Sequence, residues 1–175
     1  MSARDMEDII RENGLYLRSA TSDDARLLFD WRNDPETRAQ SFHTQEILYE
    51  DHVRWLEAAL QDDDTAIFVL MRQDSSGTAI PAGQLRLTHR ANEEGILISY
   101  SIDQNERGKG FGHALIAMVD DVAQTSFEAV PLLRAEVRKE NAASRKIFTD
   151  NGFACTEGED RMYFTKPLSP DGVAS

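Results

Sequence analysis

Hydrophobic residues recur along the chain with two periods, one typical of helices and one typical of strands. Helical spacing is clearest over residues 46–61 and 111–125, where apolar side chains return every three or four positions. Strict alternation is clearest over residues 96–102. The complete pattern predicts helices over residues 4–12, 22–32, 46–61, 111–125 and 141–150. It predicts strands over residues 15–18, 66–72, 84–89, 96–102, 133–137, 153–157 and 161–166.

The order of these elements predicts an α+β domain with a central mixed, mostly antiparallel sheet flanked by helices. A length of 175 residues suits one domain. We expect an N-terminal helical extension over residues 1–13, the domain itself over 14–167, and a flexible tail over 168–175. Pro35 is expected to end the helix that begins near Ser22.

Composition narrows the classes of function. The net charge of −12 argues against nucleic acid as a partner. Residues 1–64 hold 16 acids against 7 bases, which suits an amine-bearing substrate or simply a well-solvated surface. The longest apolar run, residues 66–71, is too short to span a membrane, and residues 1–14 lack the apolar core of a secretory signal. Cys155 is the only cysteine, so we expect no internal disulfide and a cytoplasmic location.

A glycine-rich segment, RGKGFG at residues 107–112, joins the predicted strand 96–102 to the predicted helix 111–125. Glycine allows a close backbone approach and accepts positive φ at little cost. The first amides of a helix have no partner within the helix and are free to bind an anion. The segment therefore predicts a pyrophosphate site, to which Arg107 or Lys109 can add positive charge.

Two segments resemble the motifs of one superfamily. Residues 107–112 resemble the acetyl-CoA motif of the GNAT N-acetyltransferases, Gln/Arg-x-x-Gly-x-Gly/Ala. Residues 137–153 resemble their second motif, a strand, an Asn, a helix and a Gly-Phe pair. A Rossmann dinucleotide site is the main alternative, but its glycines follow the first strand of a βαβ unit rather than a long meander. The resemblance, which extends over residues 15–167, implies a GNAT-like acyl-CoA N-acyltransferase fold.

The resemblance also implies a chemistry. Acetyl-CoA would lie where the strand ending at Ile102 diverges from the strand over residues 132–138, and a neutral acceptor amine would attack the thioester directly. No metal is implied. The residues implied for cofactor binding are Ser101, Ile102, Asp103, Arg107, Gly108, Lys109, Gly110, Phe111, Gly112, Asn141, Ser144 and Phe148.

The proton donor for the leaving thiolate is not obvious from the sequence. Many family members carry Tyr at the position of Phe148, and a Phe has no proton to give. Polar side chains near the two motifs become the candidate catalytic residues, namely Tyr100, Asn141 and Ser144, with Tyr163 as a further tyrosine. Asn141 is equally suited to capping the following helix. The general base stays open among Glu94, His43 and His52.

The acceptor is expected to contact the N-terminal third, where the sequence shows the pattern Trp-Arg-Asn-Asp-Pro at residues 31–35, Ser-Phe at 41–42 and His-x-x-Trp-Leu at 52–56. This pattern resembles acetyltransferases of bacterial surface-sugar pathways, in particular those of the pseudaminic-acid pathway, which acetylate the 4-amino group of a UDP-linked amino sugar. An aromatic ring would stack on the sugar or base, and Arg32 or Arg38 would meet the diphosphate. The implied acceptor-binding residues are Trp31, Arg32, Asn33, Ser41, Phe42 and His52.

Three functions remain open from the sequence. The first is acetylation of a nucleotide-linked amino sugar. The second is acetylation of a ribosomal-protein N-terminus or an aminoglycoside-like amine, and the third is CoA binding without catalysis. Trp31 is equally consistent with simple packing at the end of its helix. We expect a monomer or homodimer.

Overall fold

A computed structural model describes residues 1–168. The predicted tail over 168–175 therefore lies, except for its first residue, outside the described residues. Leu168 itself is buried, and its N–H donates to the carbonyl of Pro131 at 3.0 Å. Within residues 1–168, no helix is both long and apolar enough to cross a membrane.

The helices follow the predicted periodicity, with three corrections. They are α1 (Ala3–Asn13), a 3-10 turn (Ser22–Asp24), α2 (Ala25–Asn33), α3 (Pro35–Gln40), α4 (Tyr49–Leu60), α5 (Phe111–Ala117), α6 (Val119–Ser126) and α7 (Ala142–Asp150). Pro35 begins α3 instead of only ending α2, because Asp34 caps the Thr37 N–H at 3.0 Å and proline suits the first helical position. The predicted helix over 111–125 is divided at Met118, and α4 begins three residues later than expected.

All seven predicted strands form one sheet. They are β1 (Tyr16–Ser19), β2 (Thr65–Gln73), β3 (Ala79–His89), β4 (Ile96–Ile102), β5 (Leu132–Arg138), β6 (Ala154–Glu157) and β7 (Arg161–Pro167). Their spatial order is β1-β2-β3-β4-β5-β7-β6, and every neighbouring pair is antiparallel except β4 and β5. The sheet is thus mixed and mostly antiparallel, as the element order predicted.

Helices pack on both faces of the sheet. On one face, α5 and α7 pack over a core that includes Leu85, Leu115 and Phe164. On the other face, α2 and α4 pack over β2, with Trp31 and Leu56 in a smaller core. The buried side of α4 carries His52, Leu56 and Ala59, whereas Trp55 and Leu60 are exposed.

A cleft opens in the middle of the sheet. The parallel strands β4 and β5 pair only at Ile96 with Leu133 and at Leu97 with Arg134. Beyond Leu97 the two strands diverge, as expected from the sequence. The cleft widens toward the loop that follows Ile102, where the glycine-rich segment begins.

Candidate active site

The glycine-rich segment turns sharply at the carboxyl end of β4. Gly108 and Gly110 have φ values of +77° and +81°, a conformation that residues with a Cβ adopt only with strain. Gly110 is also the N-cap of α5. The segment thus presents closely spaced backbone amides at the open end of the cleft, which is the arrangement predicted for a pyrophosphate.

A buried carboxylate anchors this loop. Glu106 accepts two hydrogen bonds from Arg72 of β2, at 2.7 and 2.9 Å, and one from Lys109 at 2.9 Å. Burial alone would raise the pKa of Glu106, but these hydrogen bonds outweigh it and hold the pKa below its usual value. No local pattern indicates this anchor, because Arg72 lies 34 residues away from Glu106 along the chain.

The side chain of Arg107 contacts the start of α3. Its guanidinium donates to Asp34 at 2.8 Å, to Glu36 at 2.7 Å and to the Thr37 hydroxyl at 3.2 Å, all at the start of α3. The ammonium group of Lys109 donates to Glu106. Both side chains that were expected to add positive charge at the pyrophosphate are therefore paired with carboxylates of the protein. The backbone amides of the segment remain as its contribution to the site.

Trp31 is a buried residue that connects two elements of the fold. Its indole is 6% exposed, and Nε1–H donates to the Asp103 carboxylate at 2.7 Å. The bond joins α2 to the residue that follows β4, so it brings a predicted acceptor residue and a predicted cofactor residue together. A ring this buried offers no face to a sugar, and the predicted stacking role is therefore not supported.

Arg32 and Asn33 hold the loop between α3 and α4. Arg32 Nη2 donates to the carbonyl of His43 at 3.0 Å. The Asn33 side chain donates to the carbonyl of Ile47 and accepts from the Ile47 N–H, both at 3.2 Å. The two hydrogen bonds of the Asn33 amide thus fix the position of the loop. Arg32 still has an unused donor, because its Nη1 has no partner among residues 1–168.

The same loop reaches across to the far strands. The Ser41 carbonyl accepts from Arg138 Nε at 2.9 Å, and the Phe42 ring lies under the guanidinium of Arg161 at 3.8 Å. These contacts place the predicted residues Ser41 and Phe42 on the side of β5 and β7 that faces away from α7. The loop therefore borders the cleft on the face that α2 and α4 occupy, which we call the acceptor face.

The buried polar atoms on the acceptor face include three that have no hydrogen-bond partner among residues 1–168. They are Nη1 of Arg32, Nε2 of His52 and Oγ of Ser101, and all three atoms are buried. Arg86 of β3 lies close enough to Arg32 to feel its charge, has its guanidinium 5.2 Å from the Trp55 ring centroid, and forms no ion pair with a carboxylate of the described chain. The acceptor face thus carries two partly buried guanidinium groups without carboxylate counter-ions in the described chain.

The pKa values around these groups reflect the same arrangement. Burial, followed by the charge of Arg38, lowers the pKa of Arg32. Burial lowers the pKa of Arg86, with Arg32 adding to the effect. The pKa of His52 is lowered by burial first and by Arg32 second, so its imidazole is held neutral. A bound anion would relieve the mutual repulsion of these arginines.

The predicted catalytic residues meet on the opposite face, which is covered by α5 and α7. The Tyr100 and Ser144 hydroxyl oxygens are 2.7 Å apart. Asn141 caps α7, its Oδ1 accepting from the Ser144 N–H at 3.1 Å. Phe148 lies one turn further along α7, fully buried against Tyr100, Phe153 and Phe164.

Other candidates lie elsewhere. His43 and Glu94 are exposed, and Tyr163 is 39% exposed on β7. The sequence analysis did not select Glu136, a carboxylate on the acceptor face of β5 that accepts from Arg161 at 3.4 Å. Side chains alternate between the two faces of β5, and this alternation could have placed Glu136 on the acceptor face. Within residues 1–168, no three His, Cys, Asp or Glu side chains are grouped to hold a metal ion.

Comparison with known proteins agrees with this geometry. A family model for the acetyltransferase (GNAT) domain matches residues 14–154. The chain belongs to the GNAT family. It is 26% identical over 145 residues to Acetyltransferase PseH of Campylobacter jejuni, covering 82% of this chain and 85% of that protein. This match supports the resemblance noted for the N-terminal third.

Solved GNAT structures share the fold. Spermidine N-acetyltransferase from Vibrio cholerae, in complex with CoA and spermine, gives a TM-score of 0.76 at 18% identity, covering 88% of this chain and 95% of that one. A domain from Methanocaldococcus jannaschii gives a TM-score of 0.76 at 20% identity, covering 88% and 98%. Together, the family model and the match to PseH identify the chain as an acetyl-CoA-dependent GNAT N-acetyltransferase, which favours an enzyme over the alternative of CoA binding without catalysis.

Proposed function

We propose that this GNAT enzyme acetylates the amino group of a nucleotide-linked amino sugar. The sequence pattern at residues 31–56 and the match to PseH support a sugar acceptor. The observation that carries the proposal is the pair of partly buried guanidinium groups on the acceptor face, Arg32 and Arg86, which form no ion pair with a carboxylate among residues 1–168.

These two arginines favour an anionic acceptor. A nucleotide diphosphate supplies the counter-ion that they lack, and arginine binds phosphate oxygens through paired hydrogen bonds. A polyamine or aminoglycoside would instead bring positive charge to a positive site. At an effective dielectric of about 20, two like charges about 6 Å apart repel by roughly 3 kcal/mol.

The cofactor residues are proposed as follows. Amides of residues 107–112 bind the pyrophosphate, and the free backbone edge of β4 at residues 101–103 pairs with the pantetheine. The thioester then lies between β4 and β5, where an amine on the acceptor face attacks its carbonyl carbon. The Oγ of Ser101 and the Nε2 of His52 are buried on that face without hydrogen-bond partners among residues 1–168. A cytoplasmic location and a monomeric or homodimeric state stay predictions from the sequence.

An assay for CoA release tests the proposal. Acetyl-CoA is supplied with a UDP-linked 4-amino sugar, spermine, an aminoglycoside or a peptide with a free N-terminus. We expect turnover with the nucleotide sugar and inhibition by free UDP. Turnover confined to spermine, the aminoglycoside or the peptide, with no inhibition by UDP, would refute the anionic acceptor.

Two variants test whether Arg86 binds the phosphate groups of the acceptor. We expect Arg86→Met to raise the KM for the nucleotide sugar while the Kd for acetyl-CoA stays unchanged. Arg26→Met is a matched control, because Arg26 is an exposed arginine that also lies over aromatic rings but pairs with Asp30. An equal change in KM for both variants would contradict a phosphate-binding role for Arg86.

A further inference from the structure

A cavity opens on the acceptor face next to Arg86. Its volume is about 330 Å³, and it lies between the second half of α4, the start of β2 and the end of β3. The polar and aromatic side chains that line it are Trp55, Asp62, Thr65, Arg86, Thr88 and Arg90. Ligand sites have volumes of roughly 300–1,000 Å³, so this cavity suits one small group such as a nucleoside. We call it the distal cavity.

The distal cavity is remote from the glycine-rich segment. Strands β3 and β4 are antiparallel, so Arg86 lies opposite Ser99 and Thr88 lies opposite Leu97. Ile102, which precedes the glycine-rich segment, lies five residues, about 17 Å of strand, beyond Leu97. A phosphate bound by that segment is therefore at the opposite end of β4, and the distal cavity belongs to the acceptor side of the site.

Trp55 offers an aromatic surface in this cavity. It is 41% exposed, although the Arg86 guanidinium lies 5.2 Å and the His52 ring 5.6 Å from its ring centroids. These two neighbours hold the indole in place, while its exposed part lines the cavity. Every nucleobase has a π face that stacks on aromatic side chains, so a nucleobase is a ligand that this surface suits.

Asp62 supplies an oriented carboxylate in the same lining. Its Oδ1 accepts from the Asp64 N–H at 3.0 Å, and its Oδ2 accepts from the Thr65 hydroxyl at 2.9 Å. Each oxygen of an ionised carboxylate can accept a further hydrogen bond, so acceptor positions remain. Dinucleotide sites use a carboxylate to bind ribose hydroxyls. The indole, the carboxylate and the Arg86 guanidinium thus match the three parts of a nucleotide, namely base, ribose and phosphate.

We propose that the distal cavity binds the nucleoside of the acceptor, with its base stacked on Trp55, its ribose hydroxyls at Asp62 and the adjoining phosphates at Arg86. The amino sugar extends from Arg86 along β4 toward Ser101, which lies two residues, about 7 Å, beyond Ser99. This direction brings the amine to the open part of the cleft. The inference rests on the proposed nucleotide-linked acceptor and names the residues that recognise its nucleotide.

Calorimetry with UDP and inorganic pyrophosphate tests the inference. Both probes are titrated into enzyme saturated with CoA, so that neither can occupy the cofactor site. We expect UDP to bind roughly 5- to 100-fold more tightly than pyrophosphate, which is the range that one stacked base supplies. Trp55→Leu should remove most of this difference and leave the Kd for pyrophosphate nearly unchanged. Tyr16→Leu, which removes a 40% exposed ring from the edge strand β1, is the matched control and should preserve the difference.

Tryptophan fluorescence gives a second readout, since the chain has two tryptophans and Trp31 is buried. UDP should quench the emission of the wild-type enzyme, pyrophosphate should not, and Trp55→Leu should lose the quenching. Equal Kd values for UDP and pyrophosphate in the wild type, an equal loss of both in Trp55→Leu, or UDP binding without quenching would overturn the inference. Failure of both probes to bind to enzyme that binds CoA would instead refute the proposed nucleotide-linked acceptor.

Discussion

Substitution of Gly110 gives the most direct test of the proposal that residues 107–112 bind the pyrophosphate. Its φ of +81° costs a residue with a Cβ about 1–2 kcal/mol. A Cβ at this position would also lie 2.7 Å from Ile9 Cδ1 of α1 and 3.4 Å from Met1 Cε. The Ile9 methyl must therefore move, and because it ends a half-buried side chain the added cost is about 1 kcal/mol, the low end for overpacking. We expect Gly110→Ala to lower the free energy of unfolding by roughly 2–3 kcal/mol in total.

Two other glycines separate the contributions. Gly108 and Gly152 have φ values of +77° and +85°, and a Cβ at either would have nothing within 4 Å. Alanine there should cost only the conformational strain of about 1–2 kcal/mol. Ile9→Ala combined with Gly110→Ala should show a favourable coupling, since the shortened side chain no longer meets the new Cβ.

Urea denaturation followed by circular dichroism measures these free energies, and calorimetry measures the Kd for acetyl-CoA. Gly110→Asp should abolish binding through a negative charge beside the phosphates, whereas Gly152→Asp, at the far end of α7, should leave the Kd unchanged. The reasoning about Ile9 is wrong if Gly110→Ala destabilises no more than Gly152→Ala. The assignment of the loop to pyrophosphate is wrong if Gly110→Asp folds and binds normally.

Further predictions concern the acceptor side and the response to pH. Trp31→Phe removes a hydrogen bond to the Asp103 carboxylate, so it should destabilise the fold by about 1.5–3 kcal/mol and weaken acetyl-CoA binding; a selective rise in the acceptor KM would argue against a framework role. Arg32→Ala should raise the acceptor KM more than that of acetyl-CoA, and equal effects in steady-state kinetics would contradict a phosphate contact. Hydrogen bonds from Arg18 hold the pKa of Asp24 below its usual 3.8, so its contribution to stability is complete above that pH and is lost as pH falls through the lower, folded-state value. Acid titration of Asp24→Asn should therefore show a shallower loss of stability below about pH 4, and an unchanged acid limb would refute this.

Much of the fold could be predicted because its signals are local. Alternating side chains identified the strand that became β4, and apolar spacing identified the helix that begins at Phe111, α5. The helix α3 was missed because six residues with no buried side chain leave no periodic pattern. The division at Met118 was missed because apolar residues continue at helical spacing across it.

The sequence by itself determined the family, the order of elements and the place of the glycine-rich loop, since each depends on residues close together in the chain. Tertiary structure decided what the polar side chains do. Trp31 bonds to Asp103 across 72 positions and Arg107 reaches Asp34 across 73, while Arg32 and Arg86 are left without carboxylates. Whether a charged group finds a partner depends on which distant elements the sheet brings beside it, and no local pattern carries that information.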